Sequence, residues 1–361
     1  MIKMTRREIL QSMLAGTMFG GSLGQTHAGT GRSIEGHRLD WASEVIPLAT
    51  HHATGPAPVV TGLSLQPMGS RLALAGDDHR VRICARDTGK LIHLLQGHEQ
   101  WVRCLQFTPG GHFLLTAGYD RRLLQWDADS GELQKEVVRT SFPITAMCLH
   151  PETHFAAVAG FSGKVTWLDW VANRRVGETT VACQDLRALT LSPDGKLLVT
   201  GGRDGVLYGL DTSSRELVLK KSIHKRRIRD LIFSPDGTWV LSCGEDAMIY
   251  ATHLERDDLS FKLRSEHAKV LAIEWLNDDL FATAGTDNKI AIWDLRRRAL
   301  VGHLIGHDGT ITSLAFDGIR LYSAGYDTTL RIWSANPNFA AGPSGGVRVG
   351  RDRGPNTTVN Q

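Results

Sequence analysis

An all-β ring of seven four-stranded antiparallel blades, a single β-propeller, is the fold this sequence predicts, and three observations predict it. The first is a repeat. "LAGDDHRVRIC" (74–84), "TAGYDRRLLQW" (116–126), "TGGRDGVLYGL" (200–210), "SCGEDAMIYAT" (242–252), "TAGTDNKIAIW" (283–293) and "SAGYDTTLRIW" (323–333) share one frame, and a degenerate copy, "VAGFSGKVTWL" (158–168), fills the gap. The aligned positions Asp78, Asp120, Ser162, Asp204, Asp246, Asp287 and Asp327 recur every 40 to 42 residues, the period of propeller blades. The second observation is that each unit reads as four short strands. In the second unit "WVRCLQF" alternates, "FLLTAG" runs apolar, "LLQWDA" alternates again and "ELQKEVV" closes. The third is punctuation: "TPGGH" (108–112), "SPDGK" (192–196) and "SPDGT" (234–238) occupy one place in their units. Most of the 38 glycines stand in such turns. No stretch after the first residues has helical periodicity.

From the N-terminus onward, residues 1–28 stand outside the repeat. They combine a basic start, a Gly-rich apolar stretch and the A-x-A-like end Thr26-His27-Ala28, which together read as a secretory signal peptide. The stretch from Ile9 to Gly24 is too short and too weakly apolar for a good membrane span, so no transmembrane anchor is expected after cleavage. Residues 29–38 are a short linker, and the propeller is expected over 39–336. The last unit supplies only "TITSLAF", "RLYSAG" and "TLRIWSA" before Pro337. Upstream, "EVIPLATHH" (44–52) is similar to the outer strands "LIHLLQGH" and "LVGHLIGH", so the N-terminal segment is expected to supply the missing strand and close the ring. The tail, residues 337–361, is Gly, Pro and polar residues with little to bury, and is expected to be disordered.

Composition is that of a soluble protein, 42% hydrophobic and 22% charged, with a formal net charge of +3 that falls to about +1 once residues 1–28 are removed. Neither that charge nor any motif calls for nucleic acid. Cys84, Cys104, Cys148, Cys183 and Cys243 show no C-x-x-C pair and no zinc or haem spacing, and their odd number does not describe a closed disulfide framework. Four of them sit in apolar, strand-like runs, where cysteine packs as a small hydrophobe. His51, His79, His112, His150 and His154 stand singly at turns or strand ends, so neither a metal nor a cofactor is implied.

Two resemblances rest on quoted residues. "TRREILQ" (5–11) resembles the twin-arginine export signal of bacteria, Arg6-Arg7 and Ile9-Leu10 fitting it while Gln11 replaces the usual lysine; an ordinary Sec signal is the alternative. "GH" at Gly97-His98 and Gly306-His307, with "WD" at Trp126-Asp127 and Trp293-Asp294, resembles the WD-repeat β-propeller family over roughly residues 39–336. The resemblance implies a buried structural tetrad in each well-kept blade: His98, Thr116, Asp120 and Trp126; His267, Thr283, Asp287 and Trp293; His307, Ser323, Asp327 and Trp333. Indole to hydroxyl to imidazole to carboxylate balances donors against acceptors. The same residue types could be read as Ser/Thr-His-Asp catalytic groups, but three copies, each capped by tryptophan, offer no exposed nucleophile beside an oxyanion hole. Blades 1, 3, 4 and 5 depart from the set: Cys84, Leu210 and Thr252 stand in place of the tryptophan in blades 1, 4 and 5, and Ser162 replaces the aspartate in blade 3.

The resemblance further places a partner-binding face where the turns converge. Carried onto this sequence it gives Trp101, Arg103 and Tyr119 from blade 2, Phe161 from blade 3, and Arg187 and Arg203 from blade 4. It adds Arg227 and Arg229 from blade 5, Lys269 from blade 6, Tyr326 from blade 7 and, in blade 1, Asp77. Arg, Tyr and Trp are types enriched at interface hot spots. The function these readings converge on is an exported, non-enzymatic scaffold, monomeric on its own and working in the periplasm or outside the cell. It would bind one or more proteins, or an acidic segment, on that face. The alternatives are an enzyme or cofactor protein using the central channel, with Asp77, Asp185 and Glu245 as its scattered acidic candidates, and a binder of an anionic envelope or extracellular polymer.

Overall fold

The computed structural model describes residue 39, residues 41–48 and residues 57–335. It contains seven antiparallel sheets of four strands each. Blades 1 to 7 run over residues 60–96, 102–139, 144–180, 186–222, 228–264, 270–305 and 311–335, the last completed by Trp41–Pro47. That N-terminal strand pairs residue for residue with Thr329–Ala335, from Trp41 opposite Ala335 to Pro47 opposite Thr329. The ring is therefore closed by the strand expected to close it. The single helical feature among the described residues is a 3-10 turn at Asp257–Leu259, in the outer part of blade 5. The predicted signal peptide, linker and tail lie outside the described residues.

The sequence forms strands here because its β-branched and aromatic residues come in runs of about six, broken by turns that only certain residues tolerate. The residue after the recurring aspartate is held at positive φ in six blades: His79, Arg121, Gly205, Ala247, Asn288 and Thr328, with φ between 59° and 73°. For a β-branched residue such as Thr328 this is strained backbone. The aspartate answers it, since its carboxylate accepts the N–H two residues on in the same six turns: Arg80, Arg122, Val206, Met248, Lys289 and Thr329. In the degenerate blade 3, Ser162 Oγ accepts the N–H of Lys164 in the same way, at 3.2 Å.

There is no central core. The buried apolar residues fall into seven clusters, and each cluster is shared by two adjacent blades. Blades 1 and 2, for example, share Val81, Ile83 and Leu95 with Leu105, Leu124 and Trp126. Blades 7 and 1 share Leu330 and Ile332 with Leu72 and Leu74, and there the N-terminal segment contributes Leu48, with Ile46 packed against it. The two middle strands of a blade are buried on both faces, as in blade 2, and the fourth strand is more exposed, least so in blade 6. Burying both faces of a sheet requires a neighbour on each side, so the geometry is stable only as a closed circle.

The seam where the ends meet should therefore be sensitive to small changes. Leu48→Ala is expected to lower the free energy of unfolding by about 2–4 kcal/mol, the range for a buried leucine. A urea titration of wild type and variant checks this, and an unchanged midpoint would show that the seam does not limit stability.

Candidate functional site

Two places in the ring carry enough polar chemistry to be sites: the buried histidine sets inside the blades, and the rim with the channel mouth. In blade 2 the set is complete. Trp126 Nε1 donates to Thr116 Oγ1 at 2.8 Å, the hydroxyl meets His98 Nε2 at 2.7 Å, and His98 Nδ1 meets Asp120 Oδ2 at 2.7 Å. Because indole only donates, the threonine proton goes to Nε2, which leaves Nδ1–H to donate to the carboxylate. Blade 7 repeats the chain through Trp333, Ser323, His307 and Asp327 at 2.8, 2.6 and 2.6 Å. The Gly-His pair has a steric reason. A Cβ on Gly97 would lie 2.8 Å from the Trp126 ring, and one on Gly306 would lie 3.0 Å from that of Trp333.

Blade 6 differs from the sequence expectation. Trp293 bonds Thr283 at 2.8 Å and His267 bonds Asp287 at 2.5 Å, but His267 Nε2 is buried without a partner, so the chain is broken in the middle. Blade 5, without the tryptophan, keeps His224 between Asp246 and Ser242, both at 2.9 Å, and sets the ring of Tyr250 against the imidazole. Burial lowers the pKa of His224, outweighing the pull of Asp246.

Two substitutes for the histidine were not found by reading the aligned positions. In blade 1 the buried Arg82 donates to Asp78 at 2.6 Å, and in blade 4 the Tyr208 hydroxyl donates to Asp204 at 2.6 Å. Both stand four residues after the aspartate. A polar residue inside an otherwise apolar middle strand was the available signal. The serine and threonine hydroxyls of blades 2, 4, 5, 6 and 7 belong to residues that are 0% exposed, so an acyl group could not reach them.

The rim is different. Trp101 is 50% exposed and Phe161 39%. Between them Tyr119 stacks on Trp101 with centroids 6.0 Å apart and meets Phe161 edge-on at 5.4 Å. The guanidinium of Arg187 lies 4.3 Å over the Phe161 ring and 3.5 Å from the Tyr119 hydroxyl. Blades 2, 3 and 4 thus place Trp101, Tyr119, Phe161 and Arg187 in one patch. Arg227 joins a second group, donating to Asp185 at 2.9 Å and to Glu245 at 3.0 Å, while Arg229 reaches Glu245 at 3.3 Å. Arg103 donates to the Thr61 carbonyl at 2.8 Å. Arg203 and Lys269 are exposed, and Tyr326 is 57% exposed on blade 7, outside the aromatic patch.

The seven inner strands surround a cavity of about 190 Å³ lined from all blades. Its carboxyl is that of Asp230, which burial pushes up to about 6 against the backbone N–H groups of Ile273 and Leu231. Glu274, on the inner strand of blade 6, is raised to about 8 by burial and then by the charge of Asp230. Neither was among the sequence candidates. All five thiols are unpaired, and burial pushes Cys84 and Cys104 up to about 12, far from reactive thiolates. Among the described residues no group of three His, Cys, Asp or Glu could hold a metal, and no helix is long and apolar enough to cross a membrane.

The profile of the WD domain, G-beta repeat (WD40) matches residues 89–127, 178–208, 216–250, 260–294 and 298–334. Blades 1 and 3 fall largely outside the matches. Among curated proteins the chain is 34% identical to autophagic-related protein 16.2 of Caenorhabditis elegans over 21% of this chain and 16% of that protein. It is 40% identical to the SIR4-interacting protein SIF2 of Saccharomyces cerevisiae over 17% of this chain and 12% of that protein. A U3 snoRNP-associated protein-like protein of Arabidopsis thaliana is 45% identical over 15% of this chain and 12% of its own length. The chain thus spans less than a fifth of each of these relatives.

The tetrad geometry predicts unequal costs for one substitution. Thr116→Val leaves both His98 Nε2 and Trp126 Nε1 without partners and is expected to cost about 2–3 kcal/mol, whereas Thr283→Val strands only Trp293 Nε1 and should cost about 1 kcal/mol less. Equal losses in urea unfolding would overturn the reading of blade 6 as a broken chain. The pH response has a definite sign. Burial alone would raise the carboxyl of Asp327, but hydrogen bonds from His307, Thr329 and Asp308 outweigh it and hold it at about 2. An unfolded aspartate titrates near 3.9. The contribution of Asp327 is therefore complete above a pH of about 4 and is lost as the pH falls through about 2. Asp327→Asn should cost on the order of 2 kcal/mol at neutral pH, and the gap to wild type should close on acidification.

Proposed function

Since this chain carries WD40 repeats in five places on a seven-bladed propeller, we propose that it is a non-enzymatic scaffold that binds a protein partner on the rim patch of blades 2 to 4. The observation that carries the reading is the continuous run Trp101, Tyr119, Phe161 and Arg187, held together by ring and cation–π contacts, with Trp101 and Phe161 exposed and the Arg187 guanidinium mostly buried beside Asp185. Aromatic side chains pre-ordered by one another lose little freedom on docking. Arg203 and Lys269 extend the positive character of the rim, which favours an acidic segment in the partner. The yeast relative is named for an interaction with another protein, which agrees with this use of the fold.

The setting belongs to the proposal as well. The basic start and twin-arginine-like "TRREILQ" at the N-terminus support export from a bacterial cytoplasm, with the partner met in the periplasm or outside the cell. A chain that folds before export suits five unpaired thiols.

Affinity capture with the tagged full chain, beside a Trp101→Ala/Phe161→Ala variant, tests the surface. The expected result is a partner retained by wild type and reduced at least about tenfold by the variant, whose unfolding midpoint should fall only slightly, since both side chains are exposed and lose just their ring and cation–π contacts. Equal capture would move the interface to another surface. Retention of a polymer in place of a protein, released by moderate salt, would replace the scaffold reading by that of a polyanion binder.

A further inference from the structure

We propose that the mouth of the central channel binds a small, multiply charged oxyanion of the phosphate class, gripped by Arg103, Arg187 and Arg229. One position of the repeat faces the channel in every blade: Thr61, Arg103, Thr145, Arg187, Arg229, Leu271 and Thr312. The threonines show what the fold asks of that position. Thr61 donates to the carbonyl of Val102, Thr145 to that of Leu186 and Thr312 to that of Val60, at 2.5, 2.6 and 2.7 Å, each tying its blade to the next. Leu271 shows that even this tie is dispensable. Three arginines at such a position are not required by packing.

They are also incompletely neutralised. Arg187, Arg227 and Arg229 share two carboxylates, Asp185 and Glu245, with closest approaches of 2.6 to 3.3 Å, while Arg103 donates to the Thr61 carbonyl and, with Arg229, feels the charge of Asp230 without an ion pair to it. Four guanidinium groups thus face two carboxylates. Asp230, the third acidic group here, turns its oxygens to the N–H groups of Leu231 and Ile273 at 2.9 and 3.0 Å, and even when ionised it leaves the cluster with excess positive charge. The repulsion is felt within the group. Burial, and then the charges of Arg103 and Arg187, hold the Arg229 guanidinium below its usual affinity for a proton. The Nε–H groups of Arg227 and Arg229 are buried and meet no acceptor among the described residues.

A cavity of about 190 Å³ has room for several waters at about 30 Å³ each, hence for a compact anion. Because Arg103 comes from blade 2 and the others from blades 4 and 5, such an anion is met from separate walls. Planar forks with several donors suit phosphate oxygens better than point charges would. The site shares Arg187 with the rim patch, but Arg103 and Arg229 lie outside that patch, so loss of ion binding in their variants is read separately from partner capture.

Isothermal titration of the full chain with inorganic phosphate and with pyrophosphate, in phosphate-free buffer, tests the proposal. One saturable site per chain is expected, tighter for pyrophosphate, with an unfolding temperature that rises on binding. Arg103→Gln and Arg229→Gln should each weaken it roughly tenfold or more, while Arg174→Gln, on the exposed outer strand of blade 3, should leave it unchanged. No saturable binding to wild type overturns the proposal, a result that stands even if a channel variant fails to fold. An equal loss with Arg174→Gln overturns it in favour of diffuse surface charge. Binding of a Glu-rich peptide with pyrophosphate silent overturns the phosphate assignment and makes the channel part of the protein-binding face.

Discussion

A blade of this protein cannot bury itself, and everything else in the structure follows from that constraint. Each four-stranded sheet has two apolar faces, and the seven clusters that cover them lie between blades rather than within any one. The hydrophobic effect acts here on a circle, in which every interface needs both neighbours in place. Blade 7 is the one blade whose outer strand comes from the other end of the chain, through Trp41–Pro47, which packs on both neighbouring clusters. Loop-closure entropy makes that pairing the most costly contact in the ring to form.

The circle also explains the two uses of the recurring aspartate. Its first use is local. In six turns it accepts the N–H two residues ahead, beside a residue at positive φ, and Ser162 does the same in the seventh. Its second use is long-range, orienting an imidazole that leads to a hydroxyl and, in blades 2 and 7, on to a tryptophan. The two can separate. Blades 1 and 4 keep the turn and replace the imidazole with Arg82 or Tyr208, so the carboxylate still meets a donor although the motif is gone. A buried carboxylate must be partnered, but the partner need not be histidine.

This is why the fold was legible in the sequence and the polar interior only in part. A period of 40 to 42 residues is long-range order written directly into the chain, and strand, turn and closing segment could be read from it. The tetrads were readable where all four letters stood at their places. Their geometry was not: His267, Thr283, Asp287 and Trp293 match the pattern as well as the residues of blade 7, yet His267 Nε2 is unpartnered. A missing contact between imidazole and hydroxyl has no letter to announce it. Arg82 and Tyr208 went unread because they replace a residue from a different position of the repeat. The rim residues were proposed one by one, and what the sequence could not give was their adjacency. Trp101, Tyr119, Phe161 and Arg187 come from three blades and touch only because the ring turns them toward one another.

The same turning gives the channel its character. Along the chain Arg103, Arg187 and Arg229 are separated by one or two repeats, too far apart to read as a basic cluster, and the overall charge is close to neutral. Closing the ring converts a periodicity in sequence into proximity in space, and three like charges that would be independent in an extended chain come to share one cavity. Such an arrangement costs stability through repulsion and desolvation, since Asp185 and Glu245 only partly offset it. Four other blades fill the same position with threonine or leucine at no such cost. A fold that could have been made quieter by two or three substitutions, and is not, stores its electrostatic strain where a ligand of opposite charge would relieve it.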